Sequence, residues 1–381
     1  MEKLIYKFLS HTISDSEKEE LRNWLKDKKN HETFKNYVKD DYILTTLLNN
    51  LNVDEAYNKV WNNANGSKIY KLRPWYKSNL LKYAAVLLLL ISVGYVYFTK
   101  NNTTVDVSTP IIVNNNIEPI KSKAVLTLQD GSTVVLGKGQ NYTANNVEAH
   151  DEELVYSPES KQTIDYNFLT VPRGGEFHVK LSDGTQVWLN SASQIKYPNS
   201  FIEGQVREVE LVYGEAYFDV SPSTEHKGAS FKVLSAGQEV EVLGTEFNVK
   251  AYSDETYVFT TLVEGSIALE VNGQKRILKP DEMATHNTID HSFTVKTVDV
   301  FDEVSWRNNV FSFKSKSLKE IMRVLSRWYD MDVEFQDKSI ENTRFIGVLD
   351  KKQDIEEIVE NIKNLGFINS YEIHDKTLIL K

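Results

Sequence analysis

The stretch KYAAVLLLLISVGYVYFTK, from Lys82 to Lys100, limits what this chain can become more than any other feature. No charged residue interrupts Tyr83 to Phe98. With Leu80 and Leu81 the apolar run reaches about 19 residues, and as a helix ~28 Å, roughly the thickness of a hydrocarbon core. Lys82 lies inside the run but within a turn of its end, so its ammonium can extend to the headgroups while its methylenes stay in lipid. Trp75, Tyr76 and Tyr83 on one side, with Tyr95, Tyr97 and Phe98 on the other, have the placement of interfacial aromatic belts. A buried core helix is the alternative. A secretory signal is not, because such segments begin within the first residues and end at small-residue cleavage sites.

Charge sets the orientation. Lys68, Lys71, Arg73, Lys77 and Lys82 precede the span, and after Lys100 no cation follows until Lys121, which puts the N-terminus in the cytoplasm. The whole chain of 381 residues carries a formal charge of −10, which argues against a direct grip on nucleic acid. There is no cysteine, so disulfides, thiolate metal sites and a cysteine nucleophile are excluded. With 41% hydrophobic residues, the chain suits several folded domains rather than disorder.

Residues 1–79 read as a small all-α bundle. Apolar residues recur at helical spacing in Leu21, Trp24 and Leu25, in Phe34, Tyr37 and Val38, and in Leu44, Leu47 and Leu48. Ser14 and Glu17 form a capping-box start, and no proline occurs before Pro74. So small a bundle has little room for an active site. Its aromatic and aliphatic residues Leu21, Trp24, Leu25, Phe34 and Tyr37 are therefore candidates for holding a partner, with burial in the bundle's own core as the alternative.

Beyond the span at 80–99, residues 100–122 are rich in Asn and Thr and read as a tether that packs nothing. The period then changes from 3.6 to 2. AVLTLQDGSTVVLGKG (124–139) and FHVKLSDGTQVWLNSA (177–192) both read as a strand, an Asp-Gly turn and a strand, and Asn272-Gly273 predicts another hairpin. Residues 123–298 thus read as an all-β domain of stacked or sandwiched sheets. Residues 299–381 read as an α+β domain of two strand-helix-strand units. In the first, Ser317 and Glu320 form a capping box above the stripe Leu318, Ile321, Met322, Leu325 and Trp328; in the second, Gly366 ends the helix. The small sheet of this domain is expected to leave an edge open to pairing. The fold class is that of a multidomain single-pass membrane protein.

VPRGGEFHVKLSDGTQVWLNSASQIKYP (171–198), REVELVYGEAYFDV (207–220) and VLGTEFNVKAY (242–252) resemble the FecR-type membrane-anchored anti-sigma factors of Gram-negative bacteria. VFSFKSKSLKEIMRVLSRWYDMDVEF is similar to the extra domain of the Bacteroidetes branch, itself like the short N-terminal domains of secretins and TonB-dependent receptors. The resemblance covers roughly residues 120–381. It implies that the cytoplasmic helices hold an extracytoplasmic-function sigma factor. It also implies a single-pass inner-membrane protein whose periplasmic part responds to the signalling domain of a TonB-dependent outer-membrane transporter loaded with a siderophore or glycan.

In some members of that family the periplasmic domain cuts itself at a Gly-Thr bond, and Gly244-Thr245 is retained here. A threonine hydroxyl can attack the preceding carbonyl where the backbone is strained. The same pair is also an ordinary turn or bulge between strands. Pro172, Arg173, Gly174, Gly175 and Glu176 read as a strand entrance, with an anion nest as the alternative; Asp183 and Gly184 form the turn of the second hairpin. His178, His286 and His291 lack metal spacing and read as solvated, and paired carboxylates such as Glu152 and Glu153, or Glu356 and Glu357, read as solvated faces. No catalytic constellation, metal site or cofactor is expected. A glycan-binding envelope protein, with Trp188 stacked on sugar, is the second functional reading, and a tethered hydrolase the third.

Overall fold

A computed structural model describes residues 111–113, 115–117, 123–144, 146–157 and 165–381, together with Leu21 and Trp24. The expected span and most of the expected bundle lie outside these residues. None of the described helices is long and apolar enough to cross a membrane.

Alternation of apolar and polar residues builds two stacked sheets from Lys123 to Thr297. The first sheet runs from the edge strand Thr133–Gly137 through Lys123–Thr127, Tyr166–Val171 and Ser193–Pro198. It continues through the first half of Arg207–Asp219, then Phe231–Ser235, Gln238–Val242 and Ile267–Val271, to the other edge at Gln274–Leu278. The second sheet runs from Asn141–Ala144 to Phe293–Thr297 and takes in the second half of Arg207–Asp219, flanked by Gln186–Leu189 and Glu246–Ala251. Inward side chains of both sheets, among them Leu126, Leu169, Val187, Phe218, Phe231 and Phe247, form one core. The expected sandwich is present.

The 13-residue strand Arg207–Asp219 ties the two sheets together by belonging to both. It changes sheet at Gly214, whose φ is +101°, and a Cβ there would lie 2.2 Å from Ser193 Oγ. Only glycine allows this crossing, because it can hold positive φ and lets the neighbouring chain approach. The two Asp-Gly hairpins use one turn. In each, a leucine N–H donates across the loop (Leu128 to Ser132, Leu181 to Thr185), and the glycine N–H donates back to that leucine's carbonyl. Gly131 and Gly184 take positive φ, and Asp130 and Asp183 accept from the next-but-one N–H. Asn272-Gly273 makes the tighter two-residue turn, with φ positive at both residues.

The C-terminal domain follows a short helix α1 (Val300–Val304) and contains helices α2 (Leu318–Tyr329) and α3 (Ile355–Asn364). The capping box at Ser317 and Glu320 is formed, and all five residues of the expected stripe are buried. Gly366 takes φ +77° after α3, and its N–H and that of Phe367 bond back to the helix end. The two strand-helix-strand units do not share one sheet. Their first strands, Val310–Ser317 and Arg344–Asp350, pair with each other as a ribbon. Their last strands form a second sheet in which Asp332–Phe335 runs parallel to Thr377–Leu380, next to Tyr371–His374. The far edge of that sheet is not open: strand Ile111–Val113 lies along it. Residues 111–113 and 115–117 thus depart from the tether that packs nothing. Their β-branched side chains favour extended backbone, and Ile117 is buried in the C-terminal core. Residues 112–381 make one compact unit.

Candidate functional site

The motif Pro172–Glu176 lies where the β domain meets the C-terminal domain, and it is a clamp rather than an anion nest. Gly174, with φ +63°, brings its N–H to the carbonyl of Arg327 at 2.8 Å, at the end of α2. The Arg173 guanidinium donates to the carbonyls of Ser326 and Met331 and, at 3.1 Å, to Asp332 Oδ1. A helix C-terminus leaves carbonyls unpaired and carries partial negative charge, so a cation is well placed there. The anion nest, the alternative reading of this motif, is not formed: Arg173 supplies charge to the protein's own helix end. Gly175 is confined as well, since a Cβ would lie 3.0 Å from the Lys123 carbonyl.

Glu176 completes the motif by accepting from Lys351 Nζ at 2.8 Å. Lys351 is 1% exposed; it also donates to the Trp306 carbonyl at 2.9 Å and sits 3.6 Å from the centroid of Trp328. Burial pushes its ammonium below the ordinary lysine value, and Glu176 works against that shift. From α2, Arg327 reaches the opposite way. It forks onto both oxygens of Asp254 at 2.7 and 2.9 Å, bonds Glu255 at 2.7 Å and lies 3.6 Å above the Tyr252 ring. Burial would raise Glu255, but Lys250 and Arg327 outweigh it and hold the carboxyl below its usual value.

Between these contacts is a cleft of about 360 Å³ lined by Glu215, Lys250, Glu255, Phe259, Asp302 and Trp306, among others. Glu215 follows Gly214 directly and is buried. It accepts from Asn190 Nδ2 at 2.9 Å and Asn248 Nδ2 at 3.0 Å, and Asn248 Oδ1 accepts from Trp306 Nε1 at 3.3 Å. Burial holds the Glu215 carboxyl above its ordinary value. Arg307 lies over the rings of Trp188 and Tyr217, at 3.8 and 4.3 Å from their centroids. Trp188 stacks on His178 as well, so its ring is engaged inside the protein rather than presented to a sugar.

Asp183 is far from this joint in role. Its Oδ2 accepts from Arg207 at 2.8 Å, with both side chains 2% exposed, and Arg207 also donates to the carbonyls of Ser221 and Ala229. The hairpin turn therefore anchors a buried ion pair that ties three loops together, and Gly184 turns the chain above it with φ +86°. Gly244-Thr245 forms another corner. Gly244 has φ +144°, and its neighbours are held by Ser223 N–H to the Leu243 carbonyl and Val220 N–H to the Thr245 carbonyl. Thr245 Oγ1 is buried and donates to the Ser266 carbonyl at 3.1 Å.

Of the candidate partner-holding residues, Leu21 is helical and 3% exposed, and Trp24 is helical and half-buried. Leu25, Phe34 and Tyr37 lie outside the described residues. Of the three histidines read as solvated, His291 is exposed, but His286 is buried, and His178 is half-buried and 3.2 Å from Glu153. Strand alternation turns His286 inward, whereas His178 lies on the face opposite Phe177 and Val179 and is covered by stacking on Trp188, which spacing searched for metals does not reveal. Lys351, Arg327 and Glu215 were missed for a related reason. Each finds its partners far off in the chain, Arg327 and Lys351 across the joint and Glu215 on neighbouring strands, and no local pattern announces them. Among the described residues, no group of three or more His, Asp or Glu is placed to hold a metal.

Two family profiles match the chain: FecR protein over residues 168–268, and FecR, C-terminal over residues 310–380. No curated protein matches it. Among solved structures, a chain described as a candidate anti-sigma factor from Parabacteroides distasonis is similar in crystal structures at 1.65 and 2.50 Å, with TM-scores of 0.51 and 0.50. Both are 25% identical and cover 56% of this chain and 98% of their own. The first profile contains the Pro172–Glu176 clamp and the second contains Arg327 and Lys351, so the joint is built from both, and the chain combines a FecR domain with a FecR C-terminal domain.

Proposed function

We infer that this protein is an anti-sigma factor that carries a signal from the cell envelope to transcription. In this reading residues 1–79 hold an extracytoplasmic-function sigma factor in the cytoplasm, and the helix at 80–99 crosses the inner membrane once. Residues 112–381 stand in the periplasm, where they respond to the signalling domain of a ligand-loaded TonB-dependent outer-membrane transporter. The observation that supports it best is the pairing of a FecR domain with a FecR C-terminal domain in one compact unit, clamped through the family's own Pro-Arg-Gly-Gly-Glu motif. The likeness to a chain described as an anti-sigma factor agrees with it.

The role is regulatory and calls for no chemistry at the joint. Its groups hold one another: Arg173 on a helix end, Lys351 on Glu176, Arg327 on Asp254 and Glu255. A rigid outer unit suits a receiver, because a partner bound to either domain is then felt by both. The deciding experiment is co-purification of residues 1–79 with each extracytoplasmic-function sigma factor of the same genome. One stable complex is expected, and deleting residues 1–79 should change transcription of a transporter operon. Failure of every sigma factor to bind would remove the proposal.

A further inference from the structure

Strand Ile111–Val113 pairs with Tyr371–His374 but buries little apolar surface for an element that closes a sheet. Asp375 N–H donates to the Val113 carbonyl and Asn116 N–H donates to the Asp375 carbonyl, each at 3.1 Å. Asn115 Nδ2 donates to Glu356 Oε1 at 2.6 Å, and Asn116 Nδ2 to Asp375 Oδ1 at 3.4 Å, both at the surface. Ile117 is buried among C-terminal core residues, whereas Ile111, Ile112 and Val113 are 52%, 41% and 46% exposed. The strand beneath is fixed far better. Tyr371–His374 pairs residue for residue with Thr377–Leu380, and Tyr371, Ile373, Leu378 and Leu380 are all buried.

Elements with exposed backbone bonds and little buried apolar area are the first to open. Edges left to solvent are usually blunted with charge, but this strand carries three exposed aliphatic residues and no cation such as the Lys275 and Arg276 of the edge strand Gln274–Leu278. It also belongs to the segment that joins the outer unit to the expected span, so whatever lifts it changes that connection.

We propose that strand Ile111–Val113 and residues 115–117 are displaceable. The edge they cover, along Tyr371–His374, accepts an extended Ile/Val-rich strand of a partner protein in their place, and its arrival frees the connecting segment. The seated segment specifies what fits: main-chain bonds along the edge, and one large aliphatic side chain in the place of Ile117. The proposal rests on reading residues 112–381 as the receiving half. Its test involves neither sigma factor nor transporter, so either idea can fail without the other.

The probe is a fluorescent peptide with the sequence of residues 109–119, added to the detergent-solubilised full chain and followed by anisotropy. The internal strand competes with the peptide, so Ile117→Asp, which loosens it, should strengthen peptide binding at least about tenfold over wild type. Asn116→Cys with Asp375→Cys should pin the strand, and the chain has no other cysteine. Oxidised, that variant should not bind the peptide; reduced, it should return to the wild-type level. Tryptic cutting after Lys121 should be faster in Ile117→Asp and slower in the oxidised pair. Equal binding by the oxidised and reduced pair, or no binding by Ile117→Asp, overturns the proposal. Self-association of Ile117→Asp chains in sedimentation would make a second copy the occupant and overturn the assignment to a foreign strand.

Discussion

At Gly214 the demand for glycine is steric as well as conformational. A Cβ would lie 2.2 Å from Ser193 Oγ and 2.4 Å from Ser193 Cα, and backbone cannot swing away. Gly214→Ala should cost about 3 kcal/mol or more, combining left-handed strain with overpacking. Gly131 has φ +82° but nothing within 4 Å of a Cβ, so Gly131→Ala should cost only about 1 kcal/mol. Thermal unfolding of the solubilised chain checks both. Glu215, next in sequence, gives a pH signature. Its folded carboxyl holds the proton above the ordinary value of 4.5, so it carries no penalty below that pH, and the penalty grows as pH rises through the folded value. Glu215→Gln loses an accepted hydrogen bond at every pH. Its stability relative to wild type should nevertheless climb from pH 4.5 toward neutrality, and a flat difference would contradict the assignment. For Thr245, wild type and Thr245→Ala should give the same bands on a blot if the hydroxyl serves only its bond to Ser266. A fragment made by wild type alone would instead identify Gly244-Thr245 as a self-cleavage site.

The joint between domains is made by the ends of elements rather than their faces. Arg173 caps α2 from outside its own domain, so Arg173→Ala should cost about 1–3 kcal/mol from lost charge-assisted bonds and helix-end charge. The two sides of the Lys351–Glu176 pair should respond differently. Glu176→Ala leaves a buried ammonium without its carboxylate and should cost about 1–3 kcal/mol, less than for a fully buried pair because Glu176 is 32% exposed. Lys351→Met keeps the packing on Trp328 and removes the charge, and should be nearly neutral. Urea unfolding separates these outcomes. Local signals were legible where the element itself supplies the partner: the capping box at Ser317 and Glu320, the stripe on α2, the turns at Asp130-Gly131 and Asp183-Gly184. The roles of Arg173 and Glu176 were not, because their partners lie more than 150 residues away along the chain.

Across the compact unit of residues 112–381, clamps at three separate cations should make the two domains unfold together. Removing two of them, with Arg173→Ala and Arg327→Ala in one chain, should split a single calorimetric transition into two; one unchanged transition would mean that the apolar contacts of the joint suffice. Sequence by itself determined the order of parts: one long apolar run at Lys82–Lys100, period-two alternation from 123 to 298, and two strand-helix-strand units after it. Those are local periodicities, and burial of a repeating face needs no distant knowledge. Only the tertiary structure decided that the Pro-Arg-Gly-Gly-Glu motif clamps a helix end, that Lys351 and Glu215 are buried charges, and that strands of the two C-terminal units divide between two sheets. It also decided that strand Ile111–Val113 closes an edge. The physical reason is common to all four: a charge, a glycine or a short strand acquires its role from the surface it meets, and that surface is assembled from residues far off in the chain.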